Sequence, residues 1–335
     1  MNKNNHRINF VLVIEAGDLE IKSVLLIKSI RKFGGEFSDC PIWAVQPRLG
    51  RNLSEQTLNA LFDNDVIFIK ANLNRRVWKD YPLANKPYAA AFIESIVFNN
   101  VDTLVFLDSD IIFCQFPKQL LLNENEIVAI RAVDEKGVGL SMDELIDKYW
   151  EIIYDTCNVD ISQIWSVKPT LNECFIRAYF NGGLVSVKPN RRIFQKWKEN
   201  LEKLSMIEKI DGFSLLKEKF LFLEQSVLAA TILANTSRSE VRLFNKDYNY
   251  PLNFHNVLTE KYQKKILNEI KIIHYHSVFY NLDWKNDIKI EEPLLSWLLN
   301  RLPLPNLRKS LINRMPGNKF LSKALINKSV NKINS

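Results

Sequence analysis

The most informative stretch of the chain is Leu104-Val105-Phe106-Leu107-Asp108-Ser109-Asp110. Its continuous apolar run predicts a strand buried on both faces, as in the interior of a parallel sheet. Ligands of open parallel sheets bind beyond the carboxyl ends of the strands, where this segment carries two aspartates. With a strand period of two, Asp108 and Asp110 project to the same side, and two carboxylates at that spacing suit Mg²⁺ or Mn²⁺ together with diphosphate oxygens.

A second Asp-x-Asp pattern, Asp63-Asn64-Asp65, provides an internal comparison. One such match is expected roughly by chance in a chain of this length. This copy precedes a predicted strand, where a solvated turn explains it. Only the copy at 108–110 follows a buried strand, so the metal–diphosphate hypothesis rests on that copy, with a structural acidic turn as its alternative.

Strands and helices alternate on both sides of this segment. Gly34-Gly35 ends the first predicted helix, and Ser54 is the predicted N-cap of the second. The alternation indicates an α/β fold with a parallel, doubly wound sheet. The predicted strands of this half cover 8–14, 41–45, 66–69 and 103–107, and its predicted helices cover 19–33, 54–62 and 85–98.

The second half is less regular and ends in a basic segment. From Arg301 to Ser335 there are eight basic residues and no acid, so the preceding 300 residues hold 37 basic against 38 acidic residues. The nearly neutral charge of these 300 residues argues against nucleic-acid binding. Predicted strands cover 127–130, 184–187 and 271–275, and predicted helices cover 142–154, 191–204, 218–233 and a tail segment at 318–326.

Composition and cysteine usage place the chain among globular proteins of a reducing compartment. Its 335 residues are 47% hydrophobic and 25% charged, which excludes general disorder. No apolar run approaches the roughly 18 residues of a membrane helix. The four cysteines form no CxxC pair, which argues against a zinc knuckle. We interpret residues 8–14 as a first strand rather than a signal peptide, and we therefore expect a cytoplasmic protein.

Several polar residues outside the acidic pair are candidates from position alone. Glu15 and Asp18 follow the first strand at the same sheet edge and could accept hydrogen bonds from a ribose or a base; helix capping by Asp18 is the alternative. Lys86, at a predicted helix start, could offer its charge and the helix dipole to a diphosphate, or it is a solvated lysine. If 271–275 is a strand, His274 and His276 share one face, where imidazoles suit Mn²⁺ or form ordinary hydrogen bonds.

Four segments resemble glycosyltransferases of the GT-A fold, which use nucleotide-sugar donors. Phe106-Leu107-Asp108-Ser109-Asp110 resembles their DxD element. Phe180-Asn181-Gly182-Gly183 resembles the "FNxG" strand of glycosyltransferase family eight, the glycogenin and galactosyltransferase group, which lines the donor-sugar pocket. Leu223-Glu224-Gln225-Ser226 resembles that family's "DQD" helix start near the reaction centre, and Ile272-Ile273-His274-Tyr275 resembles its late "HF/HY" element.

The resemblance implies a fold and a domain division, and together with the candidates from position it gives a set of site residues. The fold is a Rossmann-like GT-A domain at 1–292, with a mostly parallel sheet flanked by helices, and a basic C-terminal extension at 293–335. Residues 1–115 form the nucleotide-binding half and 116–292 the donor-sugar and acceptor half. The candidate metal ligands are Asp108, Asp110 and His274; the candidate donor-binding residues are Asp108, Asp110, Glu15, Asp18, Lys86, Gly182 and Gly183; the candidate catalytic residues are Asn181, Glu224 and Gln225.

Two departures from the family pattern concern the ends of the site. The family histidine is followed by Gly and then Lys-Pro-Trp, whose lysine contacts the diphosphate; here Asp283-Trp284-Lys285 lies further on, and Lys285 is the candidate replacement. Glu15-Ala16-Gly17-Asp18-Leu19-Glu20 resembles a bacterial group of GT-A-like proteins without an assigned acceptor. Glu224 interrupts an apolar helix, and it is a candidate general base or sugar-hydroxyl acceptor.

The sequence therefore favours a glycosyltransferase of the hexosyltransferase type that depends on Mn²⁺ or Mg²⁺. A UDP-sugar is the first candidate donor, and the acceptor is a glycan, a lipid-linked sugar or a protein. The basic tail either contacts the anionic inner face of the cell membrane or is simply solvated. The alternatives are a non-catalytic nucleotide-sugar-binding protein and a haloacid-dehalogenase-type phosphatase, whose Asp-x-Asp usually follows the chain's first strand.

Overall fold

The computed structural model describes residues 7–74, 81–172, 174–211, 219–286 and 288–305. The helices are α1 (Asp18–Phe33), α2 (Glu55–Asp63), α3 (Asn85–Val97), α4 (Lys148–Cys157), α5 (Ile193–Asp211), α6 (Leu223–Asn235) and α7 (Leu294–Leu299). The strands are β1 (Ile8–Val13), β2 (Ile42–Gln46), β3 (Val66–Lys70), β4 (Thr103–Leu107), β5 (Ile111–Phe113), β6 (Val128–Ala132), β7 (Ser166–Val167), β8 (Ile176–Arg177), β9 (Phe180–Val187), β10 (Val241–Leu243), β11 (Tyr250–Pro251) and β12 (Ile272–His274).

Seven of these strands form a mostly parallel central sheet in the order β10-β6-β9-β4-β1-β2-β3. The pairs β1–β2, β1–β4, β2–β3 and β6–β10 are parallel, whereas β9 runs antiparallel between β4 and β6. Parallel neighbours end at the same edge, so the chain leaves β1 and β4 side by side. The antiparallel β9 begins at that edge, where Leu184 pairs with Leu107.

Helices cover both faces of this sheet, which confirms the predicted α/β class. Val11 of β1 packs in the cluster formed with α3, α4, α5 and α6, whereas Phe10 and Leu12 pack with α1 and α2. A strand that buries both its faces is mostly apolar, and this explains the apolar runs 10–13 in β1 and 104–107 in β4. The predicted N-cap of α2 is confirmed, because the Ser54 hydroxyl accepts a hydrogen bond from the Thr57 amide at 3.2 Å.

A smaller sheet, β11-β12-β5, lies beside the edge where β4 ends. Strand β5 follows the acidic pair after a turn closed by the Ile111 amide and the Asp108 carbonyl oxygen, and it pairs antiparallel with β12 so that Ile111 faces His274. A third apolar cluster supports this sheet and includes Leu294 and Trp297 of α7. Trp297 contacts Phe33 of α1 with ring centroids 5.3 Å apart. This packing holds a late segment of the chain against the first helix.

Three sequence predictions about elements need correction or restriction. The helix predicted at 142–154 begins at Lys148, because the Asp147 side chain caps it by accepting from the Trp150 amide at 2.9 Å. The strand predicted at 184–187 begins at Phe180, because β9 continues past an irregularity at residues 182–184 and pairs again with β6 at Asn181 and Phe180. The tail helix predicted at 318–326 lies outside the described residues. Within the described ranges, no helix has the length and apolar character that crossing a membrane would require.

Candidate functional site

A cavity of 660 Å³ opens at the carboxyl ends of β1 and β4. Glu15 and Asp18 line it from the segment after β1, and Asp108 and Asp110 line it from the turn after β4. Lys86 enters from the first turn of α3. His276 also lines it, so the structure brings six of the candidate residues into one cavity, at the edge where open parallel sheets bind their ligands.

Lys86 bridges two carboxylates on one side of this cavity. Its Nζ donates to Asp108 Oδ2 at 2.9 Å and lies 3.1 Å from Glu224 Oε1. Burial opposes the charge of Lys86, but the two carboxylates together raise its pKa. Burial raises the pKa of Glu224, and the pairing with Lys86 opposes that rise. The buried acid predicted on α6 thus has a cationic partner, and the carboxylate of Asp108 is held in place.

Asp110 forms a cluster with two histidines on the other side. His274 Nε2 lies 3.1 Å from Asp110 Oδ1, and the His274 and His276 rings stack with centroids 3.8 Å apart. Each of the three residues offers a ligand atom within 4.8 Å of the others. Strand β12 ends at His274 and His276 has a φ of 49°, so a turn rather than a continued strand brings the two rings together.

The electrostatics of this cluster suit a cation. Burial raises the pKa of Asp110, but His274 and Lys22 hold that pKa well below its usual value, so the carboxylate is ionised. Burial and the neighbouring His274 lower the pKa of His276 to about 3, which keeps its imidazole neutral, the form that binds metals.

The residues present fit a divalent cation. His274 Nδ1 is buried and has no hydrogen-bond partner among the described residues, although an unpaired buried nitrogen is costly. One carboxylate and two imidazoles favour Mn²⁺ over Mg²⁺, which prefers oxygen ligands. The carboxylate of Asp108 does not belong to this group of three, and it is paired with Lys86 instead.

Strand β9 passes directly beside the acidic pair. A Cβ added to Gly183 would lie 2.9 Å from His274 Cε1, 3.0 Å from Asn181 Oδ1 and 3.1 Å from Asp108 Oδ2. At Gly182 an added Cβ would meet its nearest atoms, in Leu228 and Glu224, only at 3.5 and 3.6 Å, which is ordinary contact. Gly183 is therefore the position at which β9 can carry no side chain.

Asn181 and Gln225 fix the backbone of these two glycines. Asn181 Oδ1 accepts from the Gly183 amide at 2.8 Å, and Gln225 Oε1 accepts from the Gly182 amide at 3.2 Å. The Asp108 amide in turn donates to the Gly183 carbonyl oxygen at 2.8 Å. The start of β9, the start of α6 and the acidic turn form one hydrogen-bonded unit.

The residues after β1 have different partners. Both carboxylate oxygens of Glu15 accept from Arg48, at 2.5 and 2.8 Å, and Asn85 also donates to Glu15 at 3.2 Å. The capping interpretation of Asp18 is wrong: Asp18 is the first residue of α1, and Glu20 accepts from the amide of the N-cap residue Gly17 at 2.9 Å. Asp18 faces the cavity instead.

Sequence reasoning missed Lys22 and Arg48. Lys22 lines the cavity from α1, and its Nζ lies 3.4 Å from Asp110 Oδ2. The signal was its spacing, because a residue four positions after Asp18 lies on the same helix face at the same sheet edge. Lys285, the candidate taken from the family pattern, is exposed and does not line the cavity.

Comparison with known proteins identifies the class and then the family. The fold is that of the GT-A glycosyltransferases: the galactosyltransferase LgtC, solved in complex with donor and acceptor sugar analogues, matches with a TM-score of 0.52 at 11% identity, over 90% of this chain and 99% of LgtC. Residues 10–235 match the Rhodobacterales glycosyltransferase domain, so the chain belongs to this family and is a glycosyltransferase. The phosphatase alternative is thereby excluded.

Other comparisons add little to this assignment. Apo mouse xyloside xylosyltransferase 1 matches with a TM-score of 0.45 at 12% identity, over 80% of this chain and 98% of that chain. A search of curated protein sequences gave no match. The donor, the acceptor and the use of a metal must therefore be argued from the site itself.

Proposed function

We propose that this glycosyltransferase moves a sugar from a nucleoside diphosphate donor to a glycan, a lipid-linked sugar or a protein, with the help of a divalent cation. The observation that carries the proposal is the cluster of Asp110, His274 and His276 beside the cavity at the carboxyl ends of β1 and β4. The unpartnered Nδ1 of His274 supports it. UDP-sugars are the first donors to test, on the resemblance to family eight.

The proposed roles follow from the contacts. Asp110, His274 and His276 would hold the cation. Asp108 lies beside them, on the side where the ribose and the diphosphate would bind. The bound cation would supply Lewis-acid stabilisation of the negative charge that develops on the departing nucleotide. Lys86 keeps Asp108 oriented, which limits the reorganisation needed during the reaction. We propose that Glu15 and Asp18 bound the nucleoside end of the cavity.

Glu224 lies on the side of the site where we propose that the donor sugar binds. Lys86 holds its Oε1, whereas its Oε2 is buried without a hydrogen-bond partner among the described residues and lies 3.6 Å from the Cβ position of Gly182. We propose that Oε2 accepts a hydrogen bond from a hydroxyl of the donor sugar. Asn181 and Gln225 bond to the β9 backbone, so we propose that they position the strand on which the sugar rests.

The test of this function is ligand binding followed by turnover. UDP, GDP and their sugar conjugates are screened by thermal shift with and without Mn²⁺; a true ligand raises the apparent melting temperature by mass action. We expect a shift that requires both Mn²⁺ and the diphosphate. Hydrolysis of the donor without acceptor would separate an enzyme from a protein that only binds nucleotide-sugars. No shift with any nucleotide would contradict the proposal.

A matched pair of glycine substitutions tests the geometry of the cation site. Gly183→Ala would push His274 and Asp108 apart, and we expect Mn²⁺ affinity to fall about tenfold or more, as for disturbed ligand positioning. Gly182→Ala, which adds the same methyl group to the adjacent residue, meets only ordinary contacts and should leave Mn²⁺ affinity unchanged. Electron paramagnetic resonance of bound Mn²⁺ measures both. Equal affinities in the two variants would show that β9 does not shape the site.

We also propose a cytoplasmic location, with the basic residues after 300 contacting an anionic membrane surface. Such a contact would bring a lipid-linked acceptor within reach of the cavity. Residues 306–335, which carry seven of those basic charges, lie outside the described residues.

A further inference from the structure

We propose that Lys22 of α1 binds the diphosphate of the donor and offsets the charge that this leaving group gains. The inference rests on the proposed function and adds to it a diphosphate-binding residue. It also assigns that role to the opposite end of the chain from the candidate suggested by the family pattern, Lys285.

The position of Lys22 is defined by its place in the cavity lining and by two contacts. Its side chain is 16% exposed and lines the cavity beside Asp18. Its Nζ lies 3.4 Å from Asp110 Oδ2 and 5.6 Å from the centre of the Tyr280 ring, which also lines the cavity. The aromatic face and the carboxylate hold a positive charge next to the proposed cation ligands.

Of the lysine side chains in the described cavity lining, that of Lys22 is the one available to bind a ligand. The described lining contains two lysines and no arginine. Lys86 is held by Asp108 and Glu224 at 2.9 and 3.1 Å, whereas the single carboxylate contact of Lys22 is longer, at 3.4 Å. The ammonium group sits on a flexible four-carbon stem that reorients easily.

The partner of Lys22 must change when the site is used. Asp110 belongs to the proposed cation site, and one carboxylate cannot serve a divalent cation and an ammonium group equally well. A partly buried ammonium group that loses its anion needs another, because an unpaired charge is costly away from water. A diphosphate bound beside Asp110 supplies that anion. The contact would strengthen as negative charge builds up on the leaving group, which is the condition for accelerating the reaction.

The geometry disfavours Lys285 for the same task. Lys285 is exposed, and the neighbouring Trp284 packs on Phe279 in the cluster below the small sheet, with ring centroids 5.7 Å apart. The lining of the cavity at the acidic pair includes none of the residues Asp283, Trp284 and Lys285. The chain thus places a lysine of its first helix at the acidic pair, whereas Lys285 lies away from it.

The experiment compares Lys22→Gln with two matched controls in the full-length protein. Lys28→Gln removes a lysine from the same helix, where it lines a groove between α1 and α2, and Lys285→Gln removes the family candidate. Calorimetry measures affinity for UDP, GDP and ADP in the presence of Mn²⁺, for uridine, and for Mn²⁺ alone. We expect Lys22→Gln to weaken diphosphate binding about tenfold or more, the size expected for a hydrogen bond between charged groups. Uridine and Mn²⁺ affinities should not fall, and Lys22→Arg should restore part of the loss.

Each other outcome is decisive. Diphosphate affinity of Lys22→Gln within twofold of the unmodified protein overturns the inference, as does a larger loss in Lys285→Gln. An equal loss for Mn²⁺ alone also overturns it, because Lys22 would then act only through the cation site. If the unmodified protein binds no nucleoside diphosphate with Mn²⁺, the proposed function fails and this inference fails with it.

Discussion

Asp110→Asn is expected to lower the rate of sugar transfer about 10³-fold or more while the protein stays folded. Asp110 supplies the only carboxylate of the cluster with His274 and His276, and an uncharged amide oxygen is a much weaker ligand for a divalent cation. Asparagine has the same shape, so the surrounding packing is preserved. Mn²⁺-dependent hydrolysis of UDP-sugars and Mn²⁺ affinity measure the two parts of the effect.

The control for this variant lies in the chain's other Asp-x-Asp pattern. Asp63 is exposed at the end of α2, and Asp63→Asn removes a carboxylate from the same pattern away from the cavity. We expect this control to keep full activity. Turnover of UDP-sugars by Asp110→Asn at the unmodified rate would remove Asp110 from the mechanism.

Lys86→Met is expected to lower the free energy of unfolding by about 3–5 kcal/mol, the cost of breaking a buried ion pair from one side. Methionine fills similar space but leaves the carboxylates of Asp108 and Glu224 without their shared cation, and the Glu224 side chain is only 4% exposed. Urea unfolding at pH 7 without ligand measures the change.

An exposed ion pair provides the comparison for this prediction. Lys289 and Glu291 lie 2.5 Å apart at the surface, and Lys289→Met should cost less than about 1 kcal/mol. Adding Glu224→Gln to Lys86→Met should recover part of the lost stability, because one of the two unpaired charges is removed. If Lys86→Met destabilises no more than Lys289→Met, the Lys86 bridge contributes nothing special to folding.

The features that were predicted well from the sequence are those that depend on patterns of neighbouring residues. The apolar runs of β1 and β4 identify strands buried on both faces, and the rule for ligand sites in parallel sheets places Asp108 and Asp110 at the functional edge. Because Glu224 interrupts an apolar helix, the sequence predicted that its carboxylate needs a polar partner. It did not predict that Lys86 is this partner.

The features that sequence reasoning missed depend on contacts between distant segments. Strand β5 was not predicted, because its three residues are too few for any periodicity. Its pairing with β12 places His274 beside Asp110 across 164 residues, an association that only the family resemblance had indicated. The extension of β9 to Phe180 depends on renewed pairing with β6 beyond an irregularity at residues 182–184 of β9. The pair of Arg48 and Glu15 likewise joins two loops that no local pattern connects.

The two histidines come from a part of the chain that the family assignment does not include. The matched region, 10–235, contains the acidic turn and the glycine strand. Strand β12, which ends at His274, belongs to the small sheet that packs with α7, and His276 follows it in a turn. In the proposed function, two of the three cation ligands therefore come from residues after 235, so the metal preference of the proposed site depends on a segment outside the matched domain.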